Sequence, residues 1–291
     1  MVSQLLAQTI VNGVNVGAIY GLAAVGLSLT FGVMKILNIA HGEFLMLGGY
    51  VAFWLLTLWG LDPFWCMPLV AGILFGLGAL SYKLLFGGIA RFQEEIRVKN
   101  SLLIGFGLFL VFPQIARLLW TGDIRSITPS YSGMSFPLLN VRVGYVPLGG
   151  LLVSVVTILA VHFFLTRTYW GKAVRGTSEN WKAAKLMGIN VDRTYLLMFS
   201  LGSALAGLAG VLVGLTQAVS PDVGMEWTLK ALIVVVLAGI GSVGGAFFSG
   251  LILGVLEAIG AIFMGPYAVA LGLVIFLLIL MLRPQGLFGK A

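Results

Sequence analysis

Apolar residues run along this chain in long blocks rather than in short alternating stretches. Helices that cross a hydrocarbon layer about 30 Å thick need about 20 apolar residues. The pattern predicts such helices near residues 8–32, 43–60, 64–86, 100–120, 145–165, 196–218, 228–243, 246–264 and 267–282. Because the alternation of barrel strands is missing, we expect an all-α polytopic membrane protein with about 8–10 transmembrane helices.

Composition supports a membrane protein with no soluble domain. Of the 291 residues, 59% are hydrophobic and only 9% are charged, whereas soluble domains carry about 25% charged residues. The 40 glycines suit membrane helices, since small residues let helices approach closely. We therefore predict a single transmembrane domain over residues 1–291.

The net charge of +7 is concentrated in a few segments and predicts the orientation of the chain. Basic residues cluster at 91–99, at 167–193 and near the C-terminus, at Arg283 and Lys290. Cytoplasmic loops carry an excess of Lys and Arg, so these three regions are predicted to be cytoplasmic and residues 121–144 to lie outside. If the first three apolar segments all cross, the N-terminus is outside as well.

Polar residues interrupt the apolar pattern at two places. Asn38, His41 and Glu43 lie in "NIAHGEF" between the first two apolar blocks. One interpretation is a cytoplasmic turn, with Asn38 as a cap and Gly42 as the breaker. The other is a discontinuous helix whose freed backbone groups line a translocation path. Glu257, in "GVLEAIG", is either a proton relay or a hydrogen-bonded structural carboxylate.

The segment "SENWKAAKLMG" in the second basic region predicts a short cytoplasmic helix. Ser178 is a favourable cap, Glu179 suits the first turn, and Gly188 suits the end. About ten residues give roughly 15 Å of helix. Three apolar side chains on it would be exposed outside the bilayer: Trp181, Leu186 and Met187. This surface is predicted to dock in a groove of a partner or, alternatively, to lie on anionic lipid.

The sequence contains few residues or motifs suited to metal binding, nucleotide binding or catalysis. Its one cysteine is Cys66 and its two histidines are His41 and His162, which makes a Cys/His metal site improbable. No phosphate-binding GxxxxGK[ST] motif is present. We expect no metal and no cofactor on this chain, and no catalysis by it.

Several motifs resemble those of a known transporter family. "KAAKLMGINVDR" is similar to the coupling loop of ABC importer permeases, with Ala183, Ala184 and Gly188 at the family spacing; Lys182 replaces the usual acidic residue and the later "LP" is missing. The 12–52 segment, "VVVLAGIGSVGGAFFSGLILGVLEAIG" and "LRPQGLFG" resemble, in order, the LivH/LivM-type branched-chain amino acid permeases. The chain is more similar to the LivH half of that pair.

This resemblance implies a non-catalytic permease subunit of an ATP-driven importer in a bacterial or archaeal cytoplasmic (inner) membrane. It implies a second homologous permease, two cytoplasmic ATP-binding subunits that bind ATP and Mg, and a periplasmic or surface substrate-binding protein. Substrates in the family include branched-chain amino acids, the commonest case, and other amino acids, amides and urea. The alternative is a secondary transporter or channel driven by an ion gradient.

The resemblance also suggests roles for particular residues. Within the predicted coupling loop 166–195, contact with the ATP-binding subunits would fall to Ser178, Glu179, Trp181, Lys182, Ala183, Ala184, Leu186, Met187 and Gly188. The translocation path would involve Asn38, His41, Glu43 and Glu257, the residues that the alternative would use as an ion relay.

Overall fold

The structure is a computed structural model that describes residues 2–138, 141–283 and 285–289. The helices are α1 Val2–Met34, α2 His41–Trp59, α3 Pro63–Ser81, α4 Glu94–Trp120, α5 Tyr145–Arg167, α6 Tyr169–Glu179, α7 Trp181–Leu186, α8 Val191–Thr216, α9 Val223–Ala238, α10 Val243–Met264 and α11 Ala268–Leu282. Each predicted apolar segment coincides with one of them, so the all-α prediction is confirmed. Lys290, predicted to be cytoplasmic, lies outside the described residues.

Seven of the described helices are long and apolar enough to cross a membrane: α1, α2, α3, α4, α5, α8 and α10. A π-helical turn, Tyr82–Phe86, continues α3. The other two predicted spans, α9 and α11, form shorter helices of 16 and 15 residues. At 1.5 Å per residue, α9 is about 24 Å long and falls short of a full crossing.

Glycines hold α1 against α10 with their backbones in contact. A side-chain carbon added at Gly17 would lie 2.7 Å from the Gly250 carbonyl oxygen, and one added at Gly13 would lie 2.7 Å from Val255 Cα. The two helices are antiparallel, because lower numbers in α1 meet higher numbers in α10. Close approach of this kind replaces the hydrophobic effect as the force that joins helices in lipid.

The chain between α1 and α2 is a break inside the helical bundle. Lys35 adopts a left-handed conformation (φ 52°) that ends α1, and residues 35–40 are not helical. The side chain of His41, the first residue of α2, contacts the carbonyl of Ala23. Since α1 continues from Ala23 to Met34, about 16 Å further, residues 35–40 run back along α1. The predicted break between two helices is therefore present, and its role in a translocation path stays a prediction.

One end of the bundle carries residues 121–144. Tyr131 Oη donates to Asp62 Oδ2 between α2 and α3 (2.6 Å), and burial together with this bond raises the pKa of Tyr131. Gln8 exchanges two hydrogen bonds of 2.9 Å with the backbone of Arg142. The N-terminal end of α1 therefore lies on the same side as residues 121–144.

The same segment also contains structure that the sequence did not predict. Strands β1 Ser135–Leu138 and β2 Val141–Gly144 pair antiparallel, with Ser135 opposite Gly144. Their four-residue length is too short for alternation to be evident among Ser, Pro and Gly residues.

The predicted loop at 91–99 is partly wrong, because α4 begins at Glu94. Arg97 is buried in its first turns and donates through Nη1 to Tyr195 Oη of α8 at 2.9 Å. Glu94 and Glu95 at the N-terminal end favour helix here, since they complement the helix dipole.

Candidate functional site

The N-terminal ends of α2 and α9 meet inside the bundle. The Gly42 amide donates to Thr228 Oγ1 at 2.8 Å, and that hydroxyl donates to the Ile39 carbonyl at 3.0 Å. A side-chain carbon added at Gly42 would lie 1.9 Å from the Gly224 carbonyl oxygen. Two helix starts and the break before α2 are thus joined backbone to backbone. We call residues 38–43 and 222–228 the helix junction.

Asn38 and His41 support the backbone of the helix junction. Asn38 Oδ1 accepts from the Ala40 amide at 3.1 Å, which closes a tight turn just before α2. His41 Nε2 lies 2.9 Å from the Ala23 carbonyl oxygen. A carbonyl oxygen can only accept, so Nε2 carries the hydrogen. Both side chains are buried, and these bonds fix the geometry of the break.

Glu43 differs from its two neighbours because it borders a cavity. Its side chain is 1% exposed, yet Oε2 has no hydrogen-bond partner among the described residues. The Glu43 cavity has a volume of about 150 Å³, and Arg117 of α4 and Asp222 before α9 also line it. Arg117 Nη2 donates to Asp222 Oδ1. The cavity therefore holds two carboxyl groups and one guanidinium.

A second polar cluster, the closed network, joins α9 to α1 and α10. Lys230 Nζ lies 2.9 Å from Glu226 Oε1 and donates to Tyr20 Oη at 2.9 Å. Tyr20 Oη in turn donates to Glu257 Oε2 at 2.7 Å. The Lys230 ammonium also lies over the rings of Tyr20 and Trp227, 4.9 and 5.4 Å from their centroids. Cation–π contact and hydrogen bonds together offset the cost of burying the charge.

The predicted coupling loop, residues 166–195, contains two helices, α6 and α7, where one was predicted. Helix α6 runs through Ser178, whose hydroxyl donates to the Arg175 carbonyl at 2.8 Å. The cap of α7 is instead Asn180, whose Oδ1 accepts from the Lys182 and Ala183 amides at 3.1 and 3.0 Å. The prediction of Ser178 as a cap and Glu179 in the first turn is therefore wrong: both residues end α6. Asn is as good a cap as Ser.

The exposed apolar surface of α7 is smaller than expected. Leu186 and Met187 are 88% and 83% exposed, and Lys182 and Ala183 are exposed beside them. Trp181 is half-buried, whereas Ala184 is 5% exposed and packs within the chain. Gly188 has φ 82°, which confirms the predicted left-handed exit from the helix.

Comparison with known proteins identifies the family. Residues 9–282 match the family model described as branched-chain amino acid transport system / permease component. The chain belongs to this family. It is thus a multi-pass permease of the cytoplasmic membrane, and the LivH-type resemblance is confirmed.

Similarity to named relatives extends over nearly the whole permease. The chain is 33% identical to the high-affinity branched-chain amino acid transport system permease protein BraD of Pseudomonas aeruginosa, over 97% of this chain and 95% of BraD. It is 30% identical to LivH of Escherichia coli, with the same coverage. The probable LivH of Methanocaldococcus jannaschii is 28% identical over 92% of this chain and 88% of its own length.

A solved structure shares the fold of the permease. The chain in "PsaBC from Streptococcus pneumoniae in complex with Fab" matches with a TM-score of 0.53, covering 98% of this chain and 97% of that one. Its sequence identity is 14%, so this similarity concerns the fold alone.

The structure groups the predicted path residues differently from the sequence. Asn38, His41 and Glu43 lie together at the helix junction. Glu257 belongs instead to the closed network, where it accepts from Tyr20 Oη. Four charged residues of the two clusters were missed: Arg117, Asp222, Glu226 and Lys230. The available signal was the i,i+4 spacing of Glu226 and Lys230 in "MEWTLKAL", which marks an ion pair on a helix.

Proposed function

We propose that this permease moves branched-chain amino acids into the cell as the membrane subunit of an ATP-driven importer. The observation that carries the proposal is similarity over nearly the whole chain to permease proteins named for high-affinity branched-chain amino acid transport. The permease itself catalyses no reaction in this scheme. ATP and Mg are bound by two cytoplasmic subunits, and a second homologous permease completes the membrane part. A substrate-binding protein delivers the amino acid from outside.

Coupling to ATP hydrolysis runs through α7. Leu186 and Met187 are large, apolar and exposed on a loop rich in Lys and Arg, a combination that suits a hydrophobic groove on an ATP-binding subunit. Burying one such side chain contributes about 1.5–3 kcal/mol. Movement of α7 passes to α8, which begins at Val191, three residues after Gly188.

The helix junction lines the translocation path. Its support is the position of Glu43, a buried carboxyl group beside a cavity, between two helices that start inside the bundle. Non-helical backbone inside a membrane protein is tolerated where it is buried in protein or lines a water-filled cavity. We assign Asn38 and His41 to holding this path open and Glu43 to facing it.

Reconstitution tests the proposal directly. The permease is placed in proteoliposomes with the second permease and the ATP-binding subunits, and a substrate-binding protein of the same importer is added outside. We expect leucine uptake that requires ATP on the cytoplasmic side. Uptake driven by a proton or sodium gradient without the ATP-binding subunits would support the secondary-transporter alternative instead.

The docking role of α7 has its own test. Replacing Leu186 and Met187 together with Ala is expected to weaken association of the ATP-binding subunits about tenfold or more and to lower leucine-stimulated ATPase activity. The matched variant Lys182→Glu/Lys185→Glu changes charge on the same helix. A larger loss in the charge variant than in the apolar one would indicate lipid binding rather than docking.

Orientation is tested by thiol labelling. In a Cys66→Ser background, Met134→Cys is expected to react with an impermeant reagent in intact cells, whereas Glu95→Cys and Lys182→Cys react only after the membrane is opened. Reaction of residue 95 or 182 from outside would overturn the orientation.

A further inference from the structure

The Glu43 cavity is built differently from a packing defect. At about 150 Å³ it is roughly ten times the space that one water molecule requires. Its polar lining includes Glu43, Arg117 and Asp222, and its apolar lining includes Phe109, Leu110 and Met225. An ionic group and an apolar group can therefore be held in the same space.

The polar lining of the cavity has one unmatched carboxyl group. Arg117 is paired with Asp222, while Glu43 Oε2 is buried without a partner among the described residues. A buried carboxylate is stable only when something donates to it or neutralises it. The backbone is shaped to admit this carboxyl group, because a side-chain carbon at Gly224 would lie 2.2 Å from Glu43 Oε1.

The Arg117–Asp222 pair lies where the cavity opens. Their side chains are 37% and 74% exposed, so a solute reaches the pair before it reaches Glu43. An exposed ion pair contributes little stability, and the guanidinium can exchange one carboxylate for another at small cost. Arg117 suits this exchange because its planar group binds carboxylates in a bidentate manner.

We propose that the Glu43 cavity is a binding site for the zwitterionic head of an amino acid during translocation. Glu43 receives the ammonium group, Arg117 receives the carboxylate in exchange for Asp222, and Phe109, Leu110 and Met225 contact the aliphatic side chain. The proposal rests on the proposed function and deepens it, since it assigns the recognised groups to individual residues. It explains why one carboxyl group is left without a partner inside the protein.

The first experiment uses the reconstituted importer with Met225→Cys in the Cys66→Ser background. Leucine, supplied by its binding protein during ATP turnover, is expected to slow modification of residue 225 by a small thiol reagent. When Glu43→Gln is introduced into this same background, it should abolish the protection. It should also lower the amount of leucine taken up per ATP hydrolysed about tenfold. ATPase stimulation by the loaded binding protein should stay within about twofold, because that step precedes occupation of the cavity.

A matched control and a second variant make the result decisive. Glu226→Gln removes a carboxylate from α9, the helix of the labelled residue 225, that does not line the cavity, and it is expected to leave protection and uptake within about twofold. Arg117→Gln, at the partly exposed opening, should raise the leucine concentration for half-protection about tenfold, and it decides the matter if Glu43→Gln fails to assemble.

The outcomes separate the two proposals. Normal leucine uptake with no protection of residue 225, or with protection unchanged in Glu43→Gln or Arg117→Gln, overturns the zwitterion site and leaves the proposed function standing. An equal loss of protection and leucine uptake in Glu43→Gln and Glu226→Gln also overturns the zwitterion site, since a general effect of removing negative charge would then explain both variants. Absence of ATP-dependent leucine uptake by the unsubstituted importer contradicts the proposed function itself.

Discussion

Two polar clusters lie on either side of the same short helix, α9, and they differ in how their charges are satisfied. In the closed network, each charged or hydroxyl group has a partner: Lys230 contacts Glu226 and Tyr20, and Tyr20 donates to Glu257. In the Glu43 cavity, one carboxyl oxygen has no partner among the described residues. A satisfied network fixes helices relative to one another, whereas an unsatisfied buried group retains the capacity to bind.

The difference is one of packing as well as charge. Lys230 lies between two aromatic rings, so little space remains around it for a solute. Glu43 faces open volume because glycines at positions 42 and 224 bring the backbones of α2 and α9 together beside it. Small residues thus create both a tight contact and, next to it, a cavity.

Removal of the only cation in the closed network should have the largest effect. Lys230→Met leaves Tyr20 Oη without its donor and Glu226 without its cationic partner, and it should lower the free energy of unfolding by about 3–5 kcal/mol. Thermal melting of the detergent-solubilised permease measures the change. Adding Glu226→Gln should restore part of the loss. An unchanged melting temperature in the single variant would contradict the structural role of the network.

Overpacking the helix junction should have the next largest effect. Gly42→Ala places a methyl group where only 1.9 Å separates it from the Gly224 carbonyl oxygen, and we expect a loss of about 1–3 kcal/mol. Gly72→Ala on α3 is the control, since nothing lies within 4 Å of an added carbon there. Equal melting temperatures for the two variants would show that the junction tolerates separation.

Neutralising Glu43 should have a smaller effect on stability, and with the opposite sign. Glu43→Gln replaces a buried carboxyl group whose Oε2 has no hydrogen-bond partner among the described residues by an amide that cannot ionise, so we expect the permease to become more stable by on the order of 1 kcal/mol while it loses transport. Such opposition between stability and activity is typical of functional sites. A lower melting temperature for Glu43→Gln would instead show that Glu43 has a structural role.

The smallest effect is expected for Glu257→Gln. The amide oxygen still accepts from Tyr20, so only the additional strength of a charge-assisted bond is lost, about 1 kcal/mol or less. Uptake should remain within about twofold. Abolished uptake with normal folding would place Glu257 in a proton relay.

Features of this fold that depend on residue type over many positions were predictable from the sequence, and features set by a single close contact were not. The blocks of apolar residues gave the helices, and the polar "NIAHGEF" gave the break before α2, because both depend on residue type over many positions. The cap of α7 depended on a choice between Ser178 and Asn180, two residues of similar capping strength. That choice was decided by α6, whose extension through Glu179 leaves Asn180 as the first residue free to cap.

The composition of the two clusters was predictable only in part. Glu43 was identified from its position between apolar blocks, but its lack of a partner depends on distances to Arg117 and Asp222, which are distant in sequence. Lys230 was missed because the predicted boundary at residue 228 put Glu226 outside the helix. Hydropathy averages over a window and therefore conceals an ion pair at a helix start.

The contact between α1 and α10 also has a consequence for how the chain is made. About 230 residues separate Gly17 from Leu251, with which it packs. At 5–20 residues per second, a ribosome needs roughly 10–50 s to synthesise that length. During this interval Gly13 and Gly17 of α1 lack the helix that packs against them. A chain that stops before α10 therefore leaves these glycines of α1 without the helix that packs against them in the complete permease.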